Sequence, residues 1–132
     1  MNIALVAHDN KKILMENLCI AYRHILNKHT LFATGSTGTL VEETANLSVN
    51  KYLAGHLGGE QQLGSQIINN DIDLLIFLRD PSCAKDYEDD INSIMRLCDT
   101  HNIPLASNLA TAEALLLTLD RGDLDWREIM KQ

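Results

Sequence analysis

Apolar residues along the chain follow two rhythms. Short unbroken runs recur at 3 to 7 (IALVA), 31 to 34 (LFAT), 74 to 78 (LLIFL) and 103 to 107 (IPLAS), with VNKYLA at 49 to 54 as a fainter fifth. Runs of this length between polar or turn-forming residues predict strands. Between them the apolar positions shift to a helical period. Leu14, Leu18, Ala21 and Ile25 draw one stripe through 11 to 27, and Ile91, Met95 and Cys98 do the same through 88 to 101. LLIFL has no polar alternation, which predicts a strand covered by helices on both faces and hence a parallel sheet. The alternation of strand and helix predicts the α/β class, a doubly wound open sheet of about five strands. A length of 132 residues supports one substantial core but not two ordinary domains, so 1 to 132 reads as a single domain.

That architecture says where chemistry belongs. In doubly wound sheets ligands bind beyond the carboxyl ends of the strands, where loops and helix N-termini gather. Polar residues cluster at those ends: His8 and Asp9 after the first strand, TGSTG (34 to 38) after the second, GHLGGEQQ (55 to 62) after the third. RDP (79 to 81) and an acidic stretch to Asp90 follow the fourth, and Ser107 and Asn108 follow the last.

Each cluster has a chemical reading and a plainer one. In ATGSTG, glycines let a ligand approach the backbone, while helix N-terminal N–H groups and the hydroxyls of Thr34, Ser36 and Thr37 suit phosphate oxygens. Equally, Ser36 or Thr37 caps the helix that follows. The stretch matches neither the phosphate-binding G-x-x-x-x-G-K-[ST] loop nor the G-x-S-x-G nucleophile turn. His8 polarises a carbonyl and Lys12 meets a phosphate, or both belong to a solvated loop. His24, His29, His56 and His101 lack metal-ligand spacing and read as surface residues. Glu60 follows paired glycines; it either removes a proton from carbon beside a carbonyl or is an ordinary first-turn acid. Together these groups make an inventory suited to enolising a small phosphorylated ketone.

Charge and cysteines narrow the partners. A net charge of −7 without a Lys/Arg cluster argues against nucleic acid and against an anionic membrane surface. No apolar run approaches the roughly 18 residues of a spanning helix, and no basic leader precedes NIALVAH. Cys19, Cys83 and Cys98 form no C-x-x-C pair, which suggests neither a disulfide framework nor a zinc site and fits a reducing, cytoplasmic setting.

With the residues assembled, the chain resembles the methylglyoxal synthase family over essentially its full length. The stretches that carry the resemblance are IALVAHD (3 to 9), LFATGSTG (31 to 38), GGEQQLG (58 to 64), DLLIFLRDP (73 to 81), RLCDTHNIPLASNLATAE (96 to 113) and LDRGDLDWRE (119 to 128). The resemblance implies a flavodoxin-like sheet of strand order 3-2-1-4-5. It also implies a homohexameric lyase that converts dihydroxyacetone phosphate to methylglyoxal and inorganic phosphate without metal or organic cofactor.

By the same resemblance the catalytic base is Glu60, and His8, Lys12, Thr34, Gly35, Ser36, Thr37, Ala54, Gly55 and Tyr87 hold the substrate. Asp9, Asp80 and Asp90 match acidic positions around the site, Asp80 and Asp90 being assigned to the catalytic group. The chain departs from the family pattern at Glu60, where aspartate is usual, at Ala54 in place of serine, at His56 in place of proline, and in DYEDD (86 to 90). Those departures leave a second expectation, a module that senses a small phosphorylated ligand without turning it over. A response-regulator receiver fits less well, because SNLAT follows the last strand and no acidic pair closes the first.

Overall fold

In the computed structural model, residues 1–53, 58–82 and 88–130 are described, the side chains of 88–90 excepted. The strands are β1 (Asn2–Ala7), β2 (Thr30–Ala33), β3 (Val49–Lys51), β4 (Leu74–Leu78) and β5 (Leu105–Ala106). They form one sheet in the order β3-β2-β1-β4-β5, parallel at every pairing, as expected. The helices are α1 (Lys12–Ala21), α2 (Arg23–Leu26), α3 (Gly35–Ala45), α4 (Gly59–Ile68), α5 (Glu88–His101), α6 (Leu109–Asp120) and α7 (Trp126–Met130).

The pleat sorts the strands' apolar residues into two cores. Ile3, Leu5, Leu74 and Ile76 enter the core beneath α1, α3 and α6, whereas Ala4, Val6, Leu75 and Phe77 enter the one beneath α4 and α5. β4 is buried along its whole length, which is why LLIFL needs no polar alternation. The two edge strands are shorter than their apolar runs. β3 stops at Lys51 and presents Asn50 and Lys51 to solvent, so only Val49 of its three residues is buried, while β5 pairs with β4 alone over two residues. The helix expected over 11–27 is divided at Tyr22 (φ −109°, ψ 22°), and a 3₁₀ turn at Asp9–Lys11 precedes α1.

The chain leaves β1 toward β2 and β3, then returns to place β4 on the opposite side of β1. The crevice between the carboxyl ends of β1 and β4 is therefore the topological switch point. At the amino ends of the same strands lies a buried anchor. Arg127 donates to Asp73 Oδ1 at 3.4 Å, Asn70 Oδ1 at 3.2 Å and the Ile72 carbonyl at 3.3 Å. Asp73 Oδ2 accepts the Asn2 backbone N–H at 2.8 Å. One guanidinium thus ties α7 to the start of β4.

Candidate active site

His8 is the first residue after β1. Its backbone N–H donates to the Leu78 carbonyl at 3.1 Å, which prolongs the β1–β4 pairing by one step into the switch-point crevice. The imidazole is 8% exposed and stands edge-on to Phe77, with ring centroids 5.4 Å apart at 84°. Its Nδ1 accepts the backbone N–H of Asp80 at 2.9 Å. An N–H donor pointed at Nδ1 demands a lone pair there, so the ring proton of the neutral form belongs to Nε2. Burial lowers the His8 pKa from its ordinary value, outweighing the nearby Asp80 carboxylate, and the Lys12 and Arg79 cations push the same way. The result is a neutral imidazole with a defined donor nitrogen.

Asp80 supplies that N–H and is itself held firmly. Its Oδ1 accepts the Ser82 hydroxyl at 2.7 Å and the Ser82 N–H at 3.0 Å, and its Oδ2 accepts the Asn10 amide at 2.8 Å. Hydrogen bonds from Ser82 and Asn10 stabilise the carboxylate and bring its pKa down to about 2. The loop after β4 is thereby pinned to the turn after β1, and the pin orients the histidine.

One strand away, Thr34 follows β2 in extended conformation (φ −61°, ψ 151°) and is the N-cap of α3. Ser36 and Thr37 therefore lie inside the first turn, and neither is the cap. Thr34 and Thr37 are buried with their hydroxyl oxygens 3.4 Å apart, whereas Ser36 is exposed. No helical carbonyl lies upstream of Ser36 and Thr37, so their N–H groups, with the positive end of the helix dipole, make a cradle for an oxyanion. Lys12, at the start of α1, bonds the Ala7 carbonyl and Asp9 Oδ1, both at 3.0 Å, which keeps its ammonium at the end of β1.

Glu60 occupies the first turn of α4, half-buried, after Gly58 adopts φ +106° at the N-cap. A side chain at position 58 would be strained at that φ, so the glycine is what lets the chain turn into α4 here. Glu60 lines a cavity of about 200 Å³ between α4 and α5, with Gln61, Gly64, Ser93, Ile94 and Leu97. Parity brings His8 and Thr34 toward the same side. Val6 and Phe32, two residues before them, both pack on the α4/α5 core, and alternation brings the residue two steps on back to that face.

Asp90 lies in the first turn of α5. Ala54, Gly55, His56 and Tyr87 fall outside the described residues. Ser107 and Asn108 follow β5 as expected, and Asn108 caps α6 by accepting the Thr111 N–H at 3.0 Å. His29 is half-buried rather than a surface residue, and burial lowers its pKa. Sequence reading passed over Asn10 and Ser82, which hold Asp80, because nothing in their spacing announces a contact across two loops.

Among the described residues, no group of three His, Cys, Asp or Glu side chains is arranged to hold a metal ion, and no helix is long and apolar enough to cross a membrane.

Comparison with known proteins places this geometry in context. The family model for the MGS-like domain matches residues 16–107. Methylglyoxal synthase of Caldicellulosiruptor saccharolyticus is 61% identical over 130 residues, covering 98% of this chain and 92% of that protein. Methylglyoxal synthase of Alkaliphilus metalliredigens is 54% identical over 132 residues, covering 100% and 98%. The crystal structure of methylglyoxal synthase from Elizabethkingia anophelis NUHP1 superposes with a TM-score of 0.82 at 43% identity, covering 87% of this chain and 76% of that one.

Proposed function

The chain belongs to the MGS-like domain family, and from that premise we propose how its own residues carry the reaction. It is an enzyme, a carbon–oxygen lyase that converts dihydroxyacetone phosphate to methylglyoxal and inorganic phosphate. The expectation of a sensing module has no support, since the relatives that match end to end bear the synthase's name.

Glu60 is the base. It takes a proton from the hydroxymethyl carbon, and the electron pair moves onto the carbonyl oxygen to form an ene-diolate. His8 donates from Nε2 to that oxygen. A neutral donor serves better than a cation here, because its pKa is closer to that of the enol it stabilises. As the hydroxyl on the deprotonated carbon gives up its proton and becomes the aldehyde oxygen, the π electrons expel phosphate, which keeps the carbon–oxygen bonding pair; the resulting enol then gains a proton at its terminal methylene carbon and loses its hydroxyl proton to become methylglyoxal.

The phosphate rests on the first-turn N–H groups of α3, with Thr34, Gly35, Ser36, Thr37 and Lys12 around it, while Ala54, Gly55 and Tyr87 keep the substrate-holding roles that the family resemblance assigns them. Its grip sets the carbon–oxygen bond against the ene-diolate π system, which decides between elimination and return of the proton. Asp80 contributes through the histidine it orients, and Asp90, at the start of α5, keeps the catalytic assignment that the family resemblance gives it.

The observation that carries this reading is the hydrogen bond from the Asp80 N–H to His8 Nδ1, because it gives a buried imidazole at the switch point one tautomer and one direction of donation. A cytoplasmic setting, in which buried Cys19 and Cys98 remain thiols, and assembly as a homohexamer belong to the same proposal.

The test is turnover. Wild-type chain mixed with dihydroxyacetone phosphate should release methylglyoxal and phosphate in equal amounts, and Glu60→Gln should lower kcat by about 10²–10⁴-fold, the usual contribution of a general base. Equal rates in the two proteins would remove Glu60 from that role.

A further inference from the structure

β3 is an edge strand, with β2 on one side only. Tyr52 and Leu53 are fastened from two sides. Toward β2, the Tyr52 N–H donates to the Ala33 carbonyl at 2.7 Å, and the Leu53 carbonyl accepts the N–H of Gly35, the first residue of α3, at 3.4 Å. Toward α4, the Leu53 N–H donates to Gln62 Oε1 at 2.7 Å, and the Tyr52 hydroxyl donates to Gln66 Oε1. Gln62 and Gln66 are one helical turn apart, so both reach from one face of α4. Tyr52 also stacks on Phe32 of β2, with ring centroids 6.0 Å apart at 16°.

A continuous chain of bonds therefore runs from the start of α3, through the two sides of the Leu53 peptide backbone, to a side chain two residues beyond Glu60. The start of α3 is where the phosphate is held, and the first turn of α4 carries the base. We propose that Gln62 is a positioning residue that sets the separation between the Glu60 carboxylate and the phosphate cradle. The proposal rests on the assignment of Glu60 as base. Gln62 is exposed, so its bond to Leu53 adds little to overall stability, and its loss should appear in the placement of α4's first turn. A misplacement of about 1 Å at a reacting group costs up to about 10²-fold in rate.

The experiment compares kcat and KM for dihydroxyacetone phosphate in wild type, Gln62→Met, Gln62→Ala and Gln62→Glu, with hydrogen exchange read at the Leu53 amide. Loss of the acceptor oxygen in Met and Ala should speed exchange at Leu53 and lower kcat about tenfold or more, with KM within about threefold of wild type. Gln62→Glu keeps an oxygen at the same reach and should restore both exchange and kcat to within about threefold. In the double variant Gln62→Met with Glu60→Gln, kcat should fall no further than in Glu60→Gln alone, since a residue acting through the base has nothing left to position. Full kcat in Gln62→Met, an equal loss in Gln62→Glu, or a rise in KM that accounts for the whole effect would overturn the proposal. Inactive Glu60→Gln beside full-rate Gln62 variants removes the positioning role alone, whereas full-rate Glu60→Gln removes the base and the positioning role together.

Discussion

The backbone N–H of Asp80 forces a choice on the His8 ring: an imidazolium cannot accept that bond, and the neutral ring can accept it only with its proton on Nε2. Burial acts in the same direction and lowers the pKa below the ordinary value of about 6.5. As pH falls, the unfolded chain therefore binds the proton before the folded one does. The stability contributed by neutral His8 is complete above about pH 6.5 and is lost as pH falls toward the lower, folded pKa. Nitrogen-15 spectra of the His8 ring should show an Nε2–H tautomer at neutral pH and a titration midpoint below 6.5; a midpoint above it would contradict both causes. His8 and Glu60 were legible as polar residues after apolar runs, but the tautomer was not. It depends on a peptide group 72 residues away that no local pattern links to the ring.

Among the elements, the helices and the central strands follow their apolar periods closely, because burial of a stripe or of both strand faces is a local demand that side chains must meet. The edges do not follow so closely. VNKYLA contributes only Val49–Lys51 to the ladder; beyond it the Tyr52 N–H still reaches the Ala33 carbonyl, but the Leu53 N–H turns to the Gln62 side chain of α4. Whether an apolar run becomes a long strand or a short one depends on neighbours on both sides, and edges have one.

The small helix α7 shows a further tertiary dependence. Arg127, 4% exposed, holds it to β4 by bonding Asp73, 1% exposed, together with two neighbouring groups at the amino end of that strand. Replacing Arg127 with methionine fills similar space but removes the guanidinium that bonds Asp73 Oδ1 inside the protein. Breaking a buried pair in this way costs about 3–5 kcal/mol. Urea unfolding should register that loss, while turnover measured well below the melting temperature should stay close to wild type, since the anchor lies at the opposite end of the strands from His8. A loss under about 1 kcal/mol would mean that other contacts hold α7.

At the scale of the whole molecule, assembly and active site raise different questions of legibility. Ile13 and Ile20 on α1, Leu117 on α6, and Trp126, Ile129 and Met130 on α7 remain exposed in the single chain. Apolar surface on several helices is what a closed assembly would cover. Light scattering should return a mass six times the 14.7 kDa of one chain; a stable monomer would remove the hexamer and leave the chemistry untouched.

The sequence by itself determined the class of fold, because strand and helix periods are written in neighbouring residues, and the polarity of the strand ends pointed to the edge of the sheet proposed for the chemistry. Only the tertiary structure decided that Asp80 orients His8 and that α4 is bonded to the start of α3 through Leu53. Each of those facts joins segments far apart in the chain, and hydrogen bonds between such segments are selected by the packing of the sheet rather than by the residues on either side of them.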